Sequence, residues 1–310
     1  MSAGDGLGET WIWLTVGAAA LQAVRTAAQK ELTSQLSVMV GTYVRALLGL
    51  PVMLVYLGLV LVISGEALPT VDGRFLVYAS LTALTQMAAT AVLLSLYQLR
   101  NFAVANQLGK SDMIFTAVIG SWLFGQTLGL TAWVALALTG LGVAIIMTAK
   151  TAASGERAAW HATFAEPSVR MGLFVGLMFG ICNLTLREAA LALAPASAFM
   201  SGAVTVAAVT AIQVLAMGGW LAVKEPGAHR AVAGAFSLAS FVGVTSALGS
   251  IGWFTAFAMT NSAHVRIVGQ IEVIFTLLIS AFYFRERITR LEGAGIGLTI
   301  AGIVLLQVAV

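Results

Sequence analysis

The chain has 310 residues, of which 59% are hydrophobic and only 9% charged, with a mean hydropathy of +0.95. Soluble proteins carry about a quarter charged residues, so a water-soluble globule is excluded and an integral membrane protein is expected. One cysteine, Cys182, excludes an internal disulfide framework or a cysteine-built metal site. The net charge of +3 is small and scattered, which argues against a nucleic-acid partner.

The first nine residues hold Asp5 and Glu9 and no lysine or arginine. A cleaved signal needs a basic start, so residues 11–28 read as a retained first span. With about 20 apolar residues needed per crossing, nine further spans follow at about 37–63, 74–98, 102–125, 131–149, 168–190, 197–222, 233–258, 263–285 and 291–309. Pro51 lies inside the second span and should kink it. The other prolines fall between spans or at their edges. The longest polar connection, residues 150–167, divides ten spans into five and five. The other connections are short, so successive helices pack as antiparallel neighbours, and no soluble domain fits. The expected organisation is a five-helix unit at 1–149, a connecting loop at 150–167 and a second five-helix unit at 168–310.

The two units repeat one another. At an offset of 160 residues, Asn101 matches Asn261, Ala103 matches Ala263 and Gly109 matches Gly269. The run Ile114-Phe115-Thr116 matches Ile274-Phe275-Thr276, and Asp112 falls on Glu272. Ser37 matches Ser197, Thr139 matches Thr299 and Gly142 matches Gly302, while Arg25 and Arg187 correspond at an offset of 162. An odd number of spans per unit makes the second enter the membrane from the opposite side, so the repeats are inverted. Basic residues concentrate on the face opposite the termini, which by the positive-inside rule places the termini outside.

Glycine spacing marks helix contacts: Gly172, Gly176 and Gly180 in the sixth span, Gly293 and Gly297 in the tenth, Ser121 and Gly125 in the fourth. Packing within one chain is the expected use. Trp11, Trp13, Trp133, Trp160 and Trp220 lie near span ends, as an interfacial belt requires. The deeper Trp122 and Trp253 read as packing residues.

Charge deep in a membrane is costly and needs a reason. Lys110 and Asp112 sit roughly 12–15 Å into the fourth span, near mid-bilayer. Glu272 is equally deep in the ninth span, and Arg45 lies well inside the second. The functional reading is a water-accessible cavity between the units, lined by Asp112, Glu272, Lys110 and Arg45. The cations would hold an anionic group, and the carboxylates an ammonium group or a proton. The competing reading is a set of buried salt bridges, Arg45 with Asp112 or Lys110 with Glu272, that locks the units together. A desolvated carboxylate exchanges a proton nearer neutral pH, so proton coupling is an expectation; no cofactor is. Asn101 and Asn261 each open a span as helix N-caps. Gly109 and Gly269, matched in mid-span, would allow a bend. His264 and Arg266 would snorkel to the surface. Arg25, Arg187 and Glu188 lie near helix ends, where surface anchoring is the simpler role and a gate the alternative.

No hydrolase, kinase or nucleotide-binding pattern occurs. The Gly-Lys-Ser at 109–111 has Val104 where a phosphate-binding loop needs glycine. An enzyme or lipid-handling protein would need a nucleophile, metal or general-base cluster, and none is visible.

Two five-span repeats, the Tyr43-Val44-Arg45 of the second span, and Phe284-Arg285-Glu286-Arg287-Ile288-Thr289 after the ninth resemble the EamA-type drug/metabolite transporter superfamily. That family joins the fourth and fifth spans of each repeat by a short Glu-Arg-containing turn. Here the first repeat has Phe124-Gly125-Gln126-Thr127-Leu128-Gly129, which keeps the length and loses both charges. The resemblance covers essentially the whole chain. It implies an all-α membrane protein of ten transmembrane helices, two inverted five-helix repeats around a central cavity that opens alternately to each side. It implies ATP-independent export or exchange of small metabolites, such as amino acids or drug-like molecules, across the cell inner membrane by a monomer or homodimer. Relatives keep both termini in the cytoplasm, opposite to the charge count. The charged positions point to a polar or zwitterionic substrate rather than an apolar drug. A multidrug exporter and a non-transporting assembly or sensor subunit are the alternatives.

Overall fold

The computed structural model describes residues 5–99, 109–153, 167–282 and 290–309. Asn101, Ala103, Val104, Trp160 and the Phe284–Thr289 motif, with most of the 150–167 loop, lie outside the described residues. The described residues form helices joined by turns. The first repeat contains α1 (Asp5–Leu32), α2 (Val38–Ser64), α3 (Gly73–Leu99), a single tight turn at Gly109–Ser111, α4 (Asp112–Leu123) and α5 (Leu130–Ala153). The second contains α6 (Pro167–Ala192), α7 (Ala198–Lys224), the short α8 (Ala228–Gly234), α9 (Phe236–Met259), α10 (Ser262–Gly269), α11 (Ile271–Phe282) and α12 (Arg290–Ala309).

Among the described residues six helical segments are long and apolar enough to cross a membrane, at 38–64, 73–98, 170–192, 198–224, 236–259 and 262–279. Asp112–Leu123, Leu130–Gly142 and Gly293–Leu305 are shorter apolar helices. Helix α1 is long but polar for a span, with Arg25, Lys30, Glu31, Gln22 and Gln29 along it. Helix α2 runs through Pro51 without a break.

The repeat matches have structural counterparts. Ser37 and Ser197 are both N-caps in nearly identical backbone conformations, accepting from the amides of Val40 and Met200 respectively. Asn261 caps α10 by accepting from the amide of Ala263. The caps also fix relative direction. Ser37, at the start of α2, donates to Glu225 just past the end of α7, at 2.9 Å. Glu66, past the end of α2, accepts from the amide of Ser197 at the start of α7, at 3.1 Å. Two equivalent helices, one from each repeat, therefore lie side by side in opposite directions.

The same exchange holds for α5 and α12. A Cβ at Gly142 would meet Thr299 Oγ1 and, at 2.6 Å, the Gly295 carbonyl; one at Gly302 would meet Thr139 Oγ1 and, at 2.8 Å, the Ala135 carbonyl. Each glycine admits the threonine of the other repeat, because lipid supplies no hydrophobic drive and close packing must replace it. The remaining contacts follow the pattern: α1 packs on α9 as α6 packs on α3, and α11 on α1 as α4 on α6. The repeats are inverted.

Two of the three small-residue stripes differ from expectation. Gly176 and Gly180 do admit Ser111 and Phe115 to the face of α6. Gly293 and Gly297 face open space, with nothing within 4 Å of an added Cβ. Gly125 makes no packing contact either. It adopts φ 60° in the turn after α4, where Ser121 donates to the Gln126 carbonyl.

Candidate functional site

In the second repeat the fourth span is interrupted, and in the first a tight turn stands at the matching position. In the first, the tight turn Gly109–Ser111 precedes α4, and Asp112 is the first residue of that helix. In the second, the expected single helix at 263–285 is two, α10 and α11, separated at Gln270. The Gln270 amide bonds back to the Ile267 carbonyl, and the Val273 amide to that of Gln270, both with the three-residue reach of a tightened turn. Glu272 stands in the first turn of α11. Both acids thus occupy the positive N-terminal end of a helix, where the backbone favours negative charge. Gly269 is needed at the break for space: a Cβ there would lie 2.5 Å from the Trp253 ring.

The chain brings these two turns together. Lys110 Nζ lies 2.6 Å from Glu272 Oε2, and Arg266 is ion-paired with Asp112. All four residues are buried. Each pair joins one repeat to the other, and each repeat contributes one cation and one carboxylate. Gln22 of α1 donates to Glu272 Oε2 at 2.9 Å and accepts from the Trp253 indole at 3.0 Å. The Arg266 guanidinium lies over the Trp253 ring, 5.0 Å from its centre.

A cavity of about 70 Å³ borders this network, large enough for several waters. Residues of α1, α2, α3, α6 and α9 line it along with Lys110, Asp112 and Arg266. Gln22, Arg25, Arg45, Lys110, Asp112 and Arg266 form its polar wall. Trp253, Phe254, Phe257 and Phe179 form much of its apolar wall. Arg45 donates to Gln213 at 3.4 Å, and Gln213 donates to Gln86 at 2.7 Å.

Of the four residues singled out in the sequence, Lys110, Asp112 and Arg45 reach this cavity, and Glu272 stands behind Lys110. The expected Lys110–Glu272 bridge forms. The expected Arg45–Asp112 bridge does not, because Arg266 takes that carboxylate. Arg266 does not snorkel: Trp253 and Asp112 hold it inside. Arg25 is not a surface anchor, since α1 continues to Leu32 and carries it about two turns inward from the helix end. Trp253 lines the cavity instead of only packing, whereas Trp122 is 86% exposed at the end of α4. Arg187 is half-buried and donates to the Phe257 carbonyl at 3.4 Å, and Glu188 pairs with Arg74 at 2.9 Å, both away from the cavity lining.

The profile of the EamA-like transporter family matches residues 9–148 and again 168–308. The chain belongs to the EamA-like transporter family. Two matches in tandem cover nearly all of this EamA-like protein and coincide with the two inverted halves. A solved structure, described as a crystal structure of a protein, matches it at a TM-score of 0.68, covering 96% of each chain at 11% identity. That likeness shows a shared fold. None of the curated proteins compared with this EamA-like protein matches it.

Proposed function

We propose that this protein is a secondary transporter, an exporter or exchanger of a small polar metabolite such as an amino acid, working by alternating access. Helix α1 and the three shorter apolar helices complete a set of ten spans with the six longer segments. The cavity is then the solute site, and its opening alternates between the two sides of the cell inner membrane.

One observation carries this reading: both buried ion pairs cross from one repeat to the other beside a cavity that both repeats line. Inverted halves can rock about such a site because the two end states exchange the environments of the halves. Lys110–Glu272 and Asp112–Arg266 act as the latch of the present state. Rocking separates or re-pairs them, and a carboxylate released from its cation is the coupling group for a proton. The charged wall favours a polar solute over an apolar drug. A non-transporting assembly or sensor subunit would have the ion pairs without a polar cavity beside them.

Purified protein in proteoliposomes, preloaded with a metabolite mixture and assayed for counterflow, tests this. Saturable exchange should occur and should be lost in Glu272→Gln and Asp112→Asn. Absence of exchange for every class of small polar solute, with folded protein in the bilayer, would sink the proposal.

A further inference from the structure

Four cations converge on this region: Arg25, Arg45, Lys110 and Arg266. Two carboxylates answer them, and both are engaged, Glu272 by Lys110 and Asp112 by Arg266. Four positive charges against two negative leave a surplus of +2. The surplus rests on Arg25 and Arg45, which are 9% and 6% exposed and have no ion pair among the described residues.

Among the described residues their hydrogen bonds are sparse and neutral. Arg45 reaches Gln213 at 3.4 Å. Arg25 reaches the neighbouring Thr26 hydroxyl at 3.5 Å, and its Nε has no partner. Tyr97 and Glu272 lie within electrostatic reach of Arg25. Glu272 Oε2 is already shared by Lys110 and Gln22. Arg25 and Arg45 are also within electrostatic reach of each other, so each makes the other harder to bury. A guanidinium remains charged at any working pH and cannot escape by losing its proton. Two such groups, desolvated and with no ion pair of their own among the described residues, are unfavourable unless an anion joins them.

We infer that the transported solute is a small organic anion whose carboxylate or other oxyanion group is held by Arg25 and Arg45. This rests on the transport reading and narrows its substrate class. The planar donor fork of arginine matches an oxyanion. Trp253, Phe254 and Phe257 receive the carbon skeleton, while Ser250 offers a neutral hydrogen bond along the same wall. Lys110, Asp112, Glu272 and Arg266 compensate one another and are left to the latch. The solute's oxyanion neutralises the two arginines and offsets the cost of burying their charges.

The test is thermal melting of the detergent-purified full chain at constant ionic strength. The probes are three- to six-carbon mono- and dicarboxylates, their neutral amides, 1,4-diaminobutane and inorganic phosphate. At least one carboxylate should raise the melting temperature in a saturable way, and its amide and the diamine should not. Arg25→Gln and Arg45→Gln should melt at or above the wild-type temperature without ligand, because each removes an unpaired charge. Each should also weaken carboxylate binding at least tenfold, and Arg45→Lys should recover part of it. Arginines with a purely structural role would instead lower the unliganded melting temperature when replaced and leave affinity unchanged, which overturns the inference. So would stabilisation by amides or diamine alone, or by no carboxylate. Phosphate acting as strongly as every carboxylate would overturn the assignment of an organic body. Counterflow of the stabilising carboxylate separates the two readings. Binding through Arg25 and Arg45 without flux defeats transport, whereas flux of neutral or cationic solutes, insensitive to both variants, defeats the anion site.

Discussion

Lys110 of the first repeat and Glu272 of the second meet at 2.6 Å in a buried contact, and Glu272 stands in the place that Asp112 holds one repeat earlier. Lys110 has no counterpart of its own charge, since Gln270 occupies the matching position. The second ion pair is completed by Arg266, which lies in a different turn from Gln270. Two repeats of one ancestral pattern thus reach a balanced pair of bridges by placing their cations at different positions.

Removing one partner of the Lys110–Glu272 bridge leaves a buried, uncompensated charge. Lys110→Met or Glu272→Gln should each cost about 3–5 kcal/mol of stability, whereas Lys110→Met combined with Glu272→Met should recover much of that loss. Thermal or denaturant unfolding in detergent measures this non-additivity. Strictly additive losses would mean that the two side chains do not depend on one another. The double variant should remain inactive in counterflow, because a latch with no charges has no second partner to move to.

Arg266→Lys keeps the charge opposite Asp112 but loses the planar stacking over Trp253. A cation–π contact of this kind contributes about 0.5–2 kcal/mol, and lysine does not reproduce the fork geometry. The variant should be modestly less stable and show a changed Trp253 fluorescence. An unchanged emission spectrum would contradict the stacked arrangement.

At the α5–α12 contact, Gly142→Ala would place a Cβ 2.6 Å from the Gly295 carbonyl, and Gly302→Ala one 2.8 Å from that of Ala135. Backbone cannot step aside as a flexible side chain can, so each change should cost about 1–3 kcal/mol. Gly293→Ala on α12, with nothing within 4 Å, should be neutral or slightly stabilising through helix propensity. Equal melting temperatures for Gly142→Ala and Gly293→Ala would refute the close crossing.

The Glu66 carboxyl is held below its ordinary value of 4.5 by hydrogen bonds from Ser197, first from its side chain and then from its amide. A carboxylate depressed in the folded state contributes stability above its unfolded pKa and loses it as pH falls through the folded pKa. The α2–α7 clasp should therefore be intact at neutral pH and weaken below about pH 4.5. Glu66 is partly exposed and screened by solvent, so the effect is small. It should appear as a shallow acid-side slope in melting temperature that Glu66→Gln removes; a slope of the same size in that variant would assign it to other groups.

The pair of buried ion pairs was half legible from the sequence. A carboxylate deep in an apolar stretch stands out because lipid makes its charge expensive, and the offset of 160 paired Asp112 with Glu272 at once. Arg266 and Arg25 did not stand out, because each lies near the end of an apolar run, where snorkelling explains a cation cheaply. Arg266 is inside because α10 is short and Trp253 and Asp112 flank it. Arg25 is inside because α1 runs past its apolar stretch.

Composition and periodicity alone determined that this chain lives in a bilayer and is built twice, since an apolar excess and a fixed offset in small and capping residues are local properties of the string. The opposite direction of the halves also follows from that string, through the odd count of expected spans. Only the tertiary structure decided which cation faces which acid, that Gly142 receives Thr299 while Gly293 faces open space, and that Arg25 and Arg45 border one cavity with no ion pair among the described residues. Those are relations between residues far apart in the chain. They depend on how helices cross, and charge, size and spacing along the sequence do not encode that crossing one residue at a time.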